Sequence, residues 1–245
     1  MKIGIVTPNF HGNNMQRPSV LQAIDHALKV TPCAAILGPR QCGKTTQARV
    51  AAKQTNMPMQ NYFDLEKSSD IDRLADPLLA LTPLAGLIVI DEVQEIPQLF
   101  PTLRVLIDDP DLDQHYLILG SASRKLIKQS SETLAGRLTY IELTPFTYIE
   151  TKNVDKLWLR GGFPRSYLAE NDQISFDWRK AYIKTYLEQD IPKLGINIPA
   201  ENLRRLWMML AHSQGTTFNA SDIGRSLGLT NKTIQHYLDI LTVTF

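Results

Sequence analysis

The sequence predicts an α/β protein, a three-layer αβα sandwich with a parallel sheet, followed by a largely helical segment. Three observations predict it. Short apolar runs alternate with helix-compatible stretches as far as about Ile149, the pattern of a parallel sheet covered on both faces. One run, Cys33-Ala34-Ala35-Ile36-Leu37, leads directly into the octet Gly38-Pro39-Arg40-Gln41-Cys42-Gly43-Lys44-Thr45, which fits the phosphate-binding pattern G-x-x-x-x-G-K-[ST]. Another, Leu87-Ile88-Val89-Ile90, ends in two acids, Asp91 and Glu92. Such an uninterrupted apolar run suits a central strand buried on both faces.

The elements follow in order. Ser19 is placed to cap a helix running to about Val30, with Leu21, Ile24, Ala27 and Leu28 on one face. The Cys33–Leu37 strand, the octet and a helix from Thr46 to Lys53 come next, which is the strand, loop, helix context the motif requires. Tyr62-Phe63-Asp64-Leu65 reads as a second strand. The stretch from Pro77 to Ala85 mixes apolar residues with proline and fits more than one state. After Glu92, Pro97 to Ile107 reads as a helix with Leu99, Leu103 and Leu106 inward, and Asp108 to Asp113 as an acidic turn. Tyr116 to Gly120 is a buried strand, Arg124 to about Ala135 a helix, and Thr139 to Leu143 a strand. From Trp158 the chain reads as helical, with Trp178, Tyr182, Tyr186 and Leu187 at helical spacing. Those aromatics suit a core better than a cofactor site.

Length and composition set limits. At 245 residues the chain holds one large domain or two smaller ones. With 43% hydrophobic and 21% charged residues it is an ordinary globular composition. A net charge of +1 gives no global field for nucleic acid or an anionic membrane. The two cysteines, Cys33 and Cys42, have neither metal nor redox spacing, and a reducing cytoplasm fits them. No apolar run approaches the roughly 20 residues needed to cross a bilayer, and Ile3 to Val6 makes a poor signal peptide.

The octet carries its chemistry in its residue types. Its two glycines allow backbone conformations that a Cβ would forbid. Successive N–H groups then face a polyphosphate, aided by the partial positive charge of a helix N-terminus. Lys44 would reach the β- and γ-phosphates, the Thr45 hydroxyl would ligate Mg²⁺, and Thr46 continues the phosphate-facing start of the helix. Typical residue frequencies give roughly a 1% chance of this pattern in a chain of this length, so coincidence is a poor explanation. Ligands in open α/β sheets sit at the carboxyl ends of strands, so Asp91 and Glu92 arrive beside the phosphates. Asp91 would hold Mg²⁺, through a water, and Glu92 would orient the water that attacks the γ-phosphate. The cofactors implied are ATP and Mg²⁺.

The last stretch is a helix-turn-helix candidate. Asn219 or Ser221 starts a short helix through Leu227, Gly228 supplies the turn, and Thr230 caps a second helix to about Leu241. Reading DNA would fall to Asn231, Lys232, Thr233, Gln235 and His236, a set with one lysine and Asp239 behind it. A structural or partner-docking role is the reading we favour over DNA contact.

At this point the chain resembles the bacterial and archaeal AAA-type ATPases that carry a C-terminal domain of unknown function. The resemblance spans about Met15 to Tyr237. It rests on Leu37-Gly38-Pro39-Arg40-Gln41, Asp64-Leu65, Ile90-Asp91-Glu92-Val93-Gln94 with Pro97 and Leu99-Phe100, and Gly120-Ser121. It continues through Leu134-Ala135-Gly136-Arg137, Gly161-Gly162-Phe163-Pro164 and Tyr186-Leu187-Glu188-Gln189-Asp190-Ile191-Pro192. It implies ATP binding and hydrolysis, an AAA-like P-loop NTPase sheet, and a lid of helices with a partial winged helix. It also implies that Ser121 senses the γ-phosphate, although related proteins often carry the longer Asn. Arg137 stands where such proteins carry an arginine finger, or is a structural arginine paired with an acid. Pro164 and Gly162 form a lid turn on the adenine, or an ordinary tight turn. A homo-oligomer and an unidentified protein client are the partners implied.

The expected organisation is an N-terminal extension over 1–14, an ATPase domain over 15–150, and a lid with a truncated winged helix over 151–245. A missing wing would leave apolar surface exposed from Leu238 to Phe245. The leading function is an Mg²⁺-dependent ATPase that couples hydrolysis to movement of the lid. The alternatives are a nucleotide-dependent switch or DNA-binding regulator with negligible hydrolysis, and a small-molecule P-loop kinase. The kinase would need a substrate lid with several arginines, which the sequence does not show.

Overall fold

Each apolar run of the first part of the chain lies in a strand of one parallel sheet. The structure, a computed structural model, describes residues 17–121, 124–193, 196 and 198–244. The expected extension over 1–14 and Phe245 lie outside them. The strands are β1 (Cys33–Leu37), β2 (Tyr62–Asp64), β3 (Gly86–Asp91), β4 (Gln114–Gly120) and β5 (Leu138–Glu142), in the spatial order β2-β3-β4-β1-β5. The side-chain period of two divides each run between two cores. Cys33, Ala35, Ile88, Ile90, Tyr116 and Ile118 face one core, and Ala34, Ile36, Leu87, Val89, Leu117 and Leu119 the other.

Helices cover both faces. On one side lie α1 (Pro18–Val30) and α2 (Lys44–Gln54), which bury Val20, Ile24, Ala27, Ala48 and Ala51. On the other, α3 (Ser68–Arg73) leads to α4 (Pro77–Leu81) and α5 (Leu99–Ile107), which bury Leu81, Leu99, Leu103 and Leu106. Helix α6 (Arg124–Thr133) packs on α5. Two expectations change. Ser19 does not cap α1, because Pro18 occupies the first turn, where its missing N–H is no loss, and Arg17 takes the cap position. The undecided stretch from Pro77 to Ala85 is helical over Pro77–Leu81 and irregular after it, the helix started by the Asp76 carboxylate accepting from the Leu79 N–H at 3.1 Å and by Pro77 behind it.

Beyond Glu142 the described residues form helices and no strand, so no wing is seen among them. Short helices α7 (Tyr148–Thr151), α8 (Val154–Arg160) and α9 (Pro164–Tyr167) lead to α10 (Asp172–Thr185). A π-helical turn over Tyr186–Asp190 and α11 (Ile191–Lys193) follow, then α12 (Ala200–His212), α13 (Ala220–Leu227) and α14 (Asn231–Thr244). These share a third core, with Tyr182, Tyr186, Leu187, Leu203, Leu206, Ile223, Ile234 and Tyr237 buried and Trp178 packed against them. The aromatics at helical spacing are therefore core residues. The helix-turn-helix elements form as expected. The Asn219 side chain accepts from the Ser221 and Asp222 N–H groups, Gly228 turns with φ 68°, and the Thr230 hydroxyl accepts from the Thr233 N–H at 3.1 Å. The expected exposure from Leu238 onward is overturned as far as Leu241. Ile240 and Leu241 are buried and Leu238 is half-buried in the same core, because α14 turns that face inward. No helix among the described residues is long and apolar enough to cross a membrane.

Arg17 ties the start of α1 to the start of the helical part. It is 4% exposed, donates to the Thr144 carbonyl at 2.8 Å and forms a two-pronged pair with Glu150 at 2.5 and 3.0 Å. Burial alone would raise the Glu150 pKa, but Arg17 and the Thr147 N–H and hydroxyl hold it below its ordinary value. A carboxylate depressed in the folded state stabilises above its unfolded-state pKa and loses that contribution as pH falls through the folded value. Glu150→Gln is expected to lower stability by on the order of 2–3 kcal/mol at neutral pH. In thermal melts of both proteins, the gap should shrink steadily as pH drops below the ordinary carboxylate value of 4.5. A gap that is constant down to acid pH would mean the pair contributes nothing.

Candidate nucleotide-binding site

The octet forms the turn between β1 and α2, and each glycine has a distinct task. A Cβ on Gly38 would lie 2.2 Å from the Leu143 carbonyl oxygen, so this glycine permits close approach rather than an unusual conformation. Gly43 supplies the conformational freedom at φ 104°, and Gln41 takes a second left-handed position at φ 63°. Alternation of this kind turns successive N–H groups to one side and makes an anion-binding concavity at the start of α2. Lys44 is 5% exposed, and its ammonium donates to the carbonyls of Gly38 and Pro39 at 3.0 Å each. The positive charge is thereby fixed against the rim of its own loop.

Strand order brings the acids to the same rim. Strand β4 lies between β1 and β3, so the residues following these three strands stand side by side: the octet, Ser121 and the Asp91-Glu92 pair. Asp91 is 2% exposed and accepts a hydrogen bond from the Tyr62 hydroxyl at 3.0 Å, with the Thr45 hydroxyl near enough to lower its pKa. Burial is the largest influence on its carboxyl and pushes the pKa up. The two hydroxyls oppose that, and Glu92 and Asp64 reinforce it. The same contact, after burial, pushes the Tyr62 phenol up.

Thr45 and Asp91 offer hard oxygen donors at one rim, which fits Mg²⁺. That ion takes one or two protein oxygens and completes its octahedron with phosphates and water. The described residues contain no cluster of three or more His, Cys, Asp or Glu that could cage an ion without a ligand's help.

Glu92 follows β3 in the left-handed conformation, φ 57° and ψ 45°, uncommon for this side-chain type. Its N–H donates to Asp91 Oδ1 at 3.1 Å, and its carboxylate accepts from the Gln94 amide. Pro164 comes near the loop from the helical part: its Cγ is 3.9 Å from where a Gly43 Cβ would stand. Gly162 lies against Phe146, where a Cβ would be 2.3 Å from the carbonyl oxygen, and its own carbonyl accepts from the Phe146 N–H at 2.7 Å.

Arg137 is not among these groups. It precedes β5, and Leu138 pairs in register with Cys33, so it stands at the amino end of the sheet, opposite the octet that follows Leu37. The four intervening residues of β1 span about 13 Å. There Arg137 makes a two-pronged pair with Asp108, at 2.5 and 2.8 Å.

Sequence reasoning missed Tyr62, the hydrogen-bond partner of Asp91, and Asp190, whose carboxylate accepts from Arg40 at 2.5 Å. Neither has a local signature. Tyr62 meets Asp91 through the β2–β3 register, and Asp190 comes from a helix 150 residues away in sequence.

A loop of the phosphate-binding pattern between strand and helix, a buried lysine at its rim, and a buried carboxylate at the end of a neighbouring strand are the features of a P-loop nucleotide-binding protein. Residues 31–152 match the family model described as an AAA domain. Residues 151–245 match a Domain of unknown function (DUF8612). The chain belongs to the AAA-type P-loop ATPases that carry a C-terminal domain of unknown function. It is 45% identical over 230 residues to the uncharacterized proteins Rv2008c of Mycobacterium tuberculosis and Mb2031c of Mycobacterium bovis, covering 93% of this chain and 52% of each relative. It thus spans about half the length of the curated relatives it matches. Among solved structures it is similar to the Walker-type ATPase PABY2304 of Pyrococcus abyssi, with a TM-score of 0.61 at 12% identity over 94% of this chain and 89% of that one. That likeness bears on the fold.

Gly38→Ala tests the close approach. The Cβ meets a backbone carbonyl rather than a flexible side chain, so either the loop or the Leu143 turn must move. Overpacking of this kind costs about 1–3 kcal/mol. A lower melting temperature together with at least tenfold weaker nucleotide binding is expected. Parent-like values in both measurements would refute the tight contact.

Proposed function

We propose that this protein binds ATP with Mg²⁺ in the Gly38–Thr46 loop and hydrolyses it to ADP and phosphate, coupling turnover to movement of the helical part from residue 151 onward. The observation that carries the proposal is that strand order brings the buried Asp91 to the rim where Lys44 is fixed on the loop carbonyls. The loop N–H groups of Arg40 to Thr46 would cradle the phosphates. Lys44 would exchange its carbonyl partners for β- and γ-phosphate oxygens. Thr45 and Asp91 would hold Mg²⁺, the latter through water, and the ion would supply charge neutralisation at those oxygens.

Glu92 accepts a hydrogen bond from a water and holds it for attack on the γ-phosphorus. The new P–O bond forms as the bond to the β–γ bridging oxygen breaks, and the water's protons pass to Glu92 and solvent. Ser121, at the end of the strand between the loop and the acids, would donate to the γ-phosphate. Pro164, beside Gly43, would bring the helical part against the nucleoside.

Arg137 enters this reading only through a second copy, since it stands at the far end of its own sheet. Its Asp108 pair supports the structural alternative. The exposed second-helix residues Asn231, Lys232, Gln235 and His236 lie beside Asp239, a mixed charge pattern that supports docking of a protein client more than DNA. The buried free cysteines suit a reducing cytoplasm.

Two variants separate binding from hydrolysis. Lys44→Ala is expected to weaken ATP binding at least a hundredfold by calorimetry. Unchanged affinity would remove the loop from the site. Glu92→Gln keeps the side-chain shape and loses the charge, so it is expected to bind ATP as the parent does and to release phosphate at least a hundredfold more slowly. Parent-like turnover would move the catalytic role to another acid. If the parent itself binds ATP and releases no phosphate, the nucleotide-switch alternative holds.

A further inference from the structure

Arg40 stands within the phosphate loop yet its guanidinium is engaged by the helical part. Nη1 donates to Asp190 Oδ1 at 2.5 Å, and Nη2 lies 3.6 Å from Glu66. Asp190 closes the π-helical turn Tyr186–Asp190, a type of irregularity that recurs at functional sites. The Arg40 carbonyl is held separately, accepting from the Tyr182 hydroxyl of α10 at 3.4 Å. The backbone is therefore pinned to α10 while the side chain remains able to change partners.

The direction of that side chain is fixed by what surrounds it. Glu66 follows the carboxyl end of β2, and Glu92 follows that of β3. Burial lowers the Arg40 pKa, but the carboxylates of Asp190, Glu92 and Glu66 outweigh it and raise it overall, so Glu92 is close enough to be felt. The group that would orient the attacking water thus shares a neighbourhood with Arg40. The Nη2 contact with Glu66, which follows β2 beside β3, turns the guanidinium toward the rim of acids that Glu92 shares, the side on which a γ-phosphate would meet the attacking water.

We infer that Arg40 exchanges Asp190 for the γ-phosphate of a bound nucleoside triphosphate, so that the loop distinguishes triphosphate from diphosphate and frees the π-helical turn only for the triphosphate. The inference rests on the nucleotide-binding reading above and deepens it. A planar guanidinium pairs in two-pronged fashion with carboxylate and phosphate alike, so the two compete for one donor set. The phosphate carries the larger charge and the Asp190 pair is partly exposed, at 35% for Arg40 and 12% for Asp190, which favours exchange when a γ-phosphate is present. A diphosphate offers no such competitor and leaves the turn docked.

Calorimetry with ADP and with the non-hydrolysable AMPPNP tests this on the full chain with Mg²⁺. Asp190→Asn removes the competitor, so AMPPNP should bind on the order of tenfold more tightly, with ADP affinity unchanged. Arg40→Gln should weaken AMPPNP by at least as much and leave ADP affinity unchanged. Hydrogen exchange on the parent gives an answer that needs no variant: AMPPNP should speed exchange over 186–193, and ADP should not. An AMPPNP-to-ADP ratio that is the same in the parent and both variants overturns the inference, as does equal exchange with the two nucleotides. Failure of the parent to bind either nucleotide overturns the nucleotide reading and this inference together. Binding of both with an unmoved ratio overturns this inference alone.

Discussion

The fold turns on one crossing, where the chain leaving β5 passes the start of the phosphate loop. The Leu143 N–H donates to the Leu37 carbonyl at 2.7 Å, and the Leu143 carbonyl oxygen lies so near Gly38 that a Cβ there would meet it at 2.2 Å. From this crossing the same strip of chain makes three further attachments. Thr144 accepts from the buried Arg17, Phe146 exchanges backbone contact with Gly162, and Glu150 closes the pair with Arg17. The first turn of α1, the phosphate loop and the entry to the helical part are therefore joined within eight residues, Leu143 to Glu150. A loop held only by its own β-strand and helix would be free to sag. This one is braced from the side by backbone, which a side-chain change cannot easily loosen.

Charge at the site is unbalanced in a way that suits its proposed ligand. Asp91, Glu92, Asp64 and Glu66 all follow the carboxyl ends of β2 and β3 or close them, while Lys44 and Arg40 are the cations of the loop itself. Burial and the neighbouring acids both raise the Asp91 pKa, a cost to its charged form that the nearby hydroxyls offset only in part. A divalent cation beside Thr45 would relieve that cost. The same crowding of acids explains why both loop cations are already paired within the protein, Lys44 with carbonyls and Arg40 with Asp190 and Glu66. Under the proposed function, binding would be an exchange of partners, with affinity set by the difference between the old partners and the new.

Much of this was legible in the sequence, because its strongest signals are local. The runs Cys33–Leu37, Leu87–Ile90 and Tyr116–Gly120 are apolar at every position or nearly so, and they became the three central strands. The octet gave its own conformation through Gly43 and its own chemistry through Lys44 and Thr45. What stayed hidden was cross-chain. Nothing near Ser19 signals that Arg17, its neighbour but one, is buried against a residue 133 positions away. Nothing near Tyr62 signals Asp91, since the edge strand β2 is only three residues long and its register is set by the sheet. Ser19 failed as a cap for a local reason that was available: a proline before it competes for the same first turn and needs no N–H partner. The Leu238–Leu241 face failed for a non-local one, since it joins a core that the π-helical turn, α12 and α13 also enter, and none of these is implied by the sequence of α14.

The aromatic side chains of the helical part bear on how a change at the loop can travel. Phe163, Trp178, Tyr182 and Tyr186 follow one another with ring centroids 4.9 to 6.1 Å apart, and Trp207 of α12 stands edge-on to Tyr186 at 5.7 Å. One end of this row touches the loop, where the Tyr182 hydroxyl reaches the Arg40 carbonyl and Pro164 follows Phe163 toward Gly43. The other end lies in the core that α12, α13 and α14 share. Stacked rings are stiff, with two torsions each, and a displaced ring has few ways to yield without moving its neighbour. The π-helical turn sits in the middle of the row and carries both Tyr186 and Asp190. A π turn stores one extra residue in the helix, so a shift there can be absorbed by rewinding rather than by breaking hydrogen bonds along the whole helix. The row and the turn together offer a mechanical link from loop to C-terminal helices that does not require the two halves to separate. The connection is built from large rings, which hold their spacing at any ionic strength, while the ion pair at Arg40 is the charged contact between loop and turn.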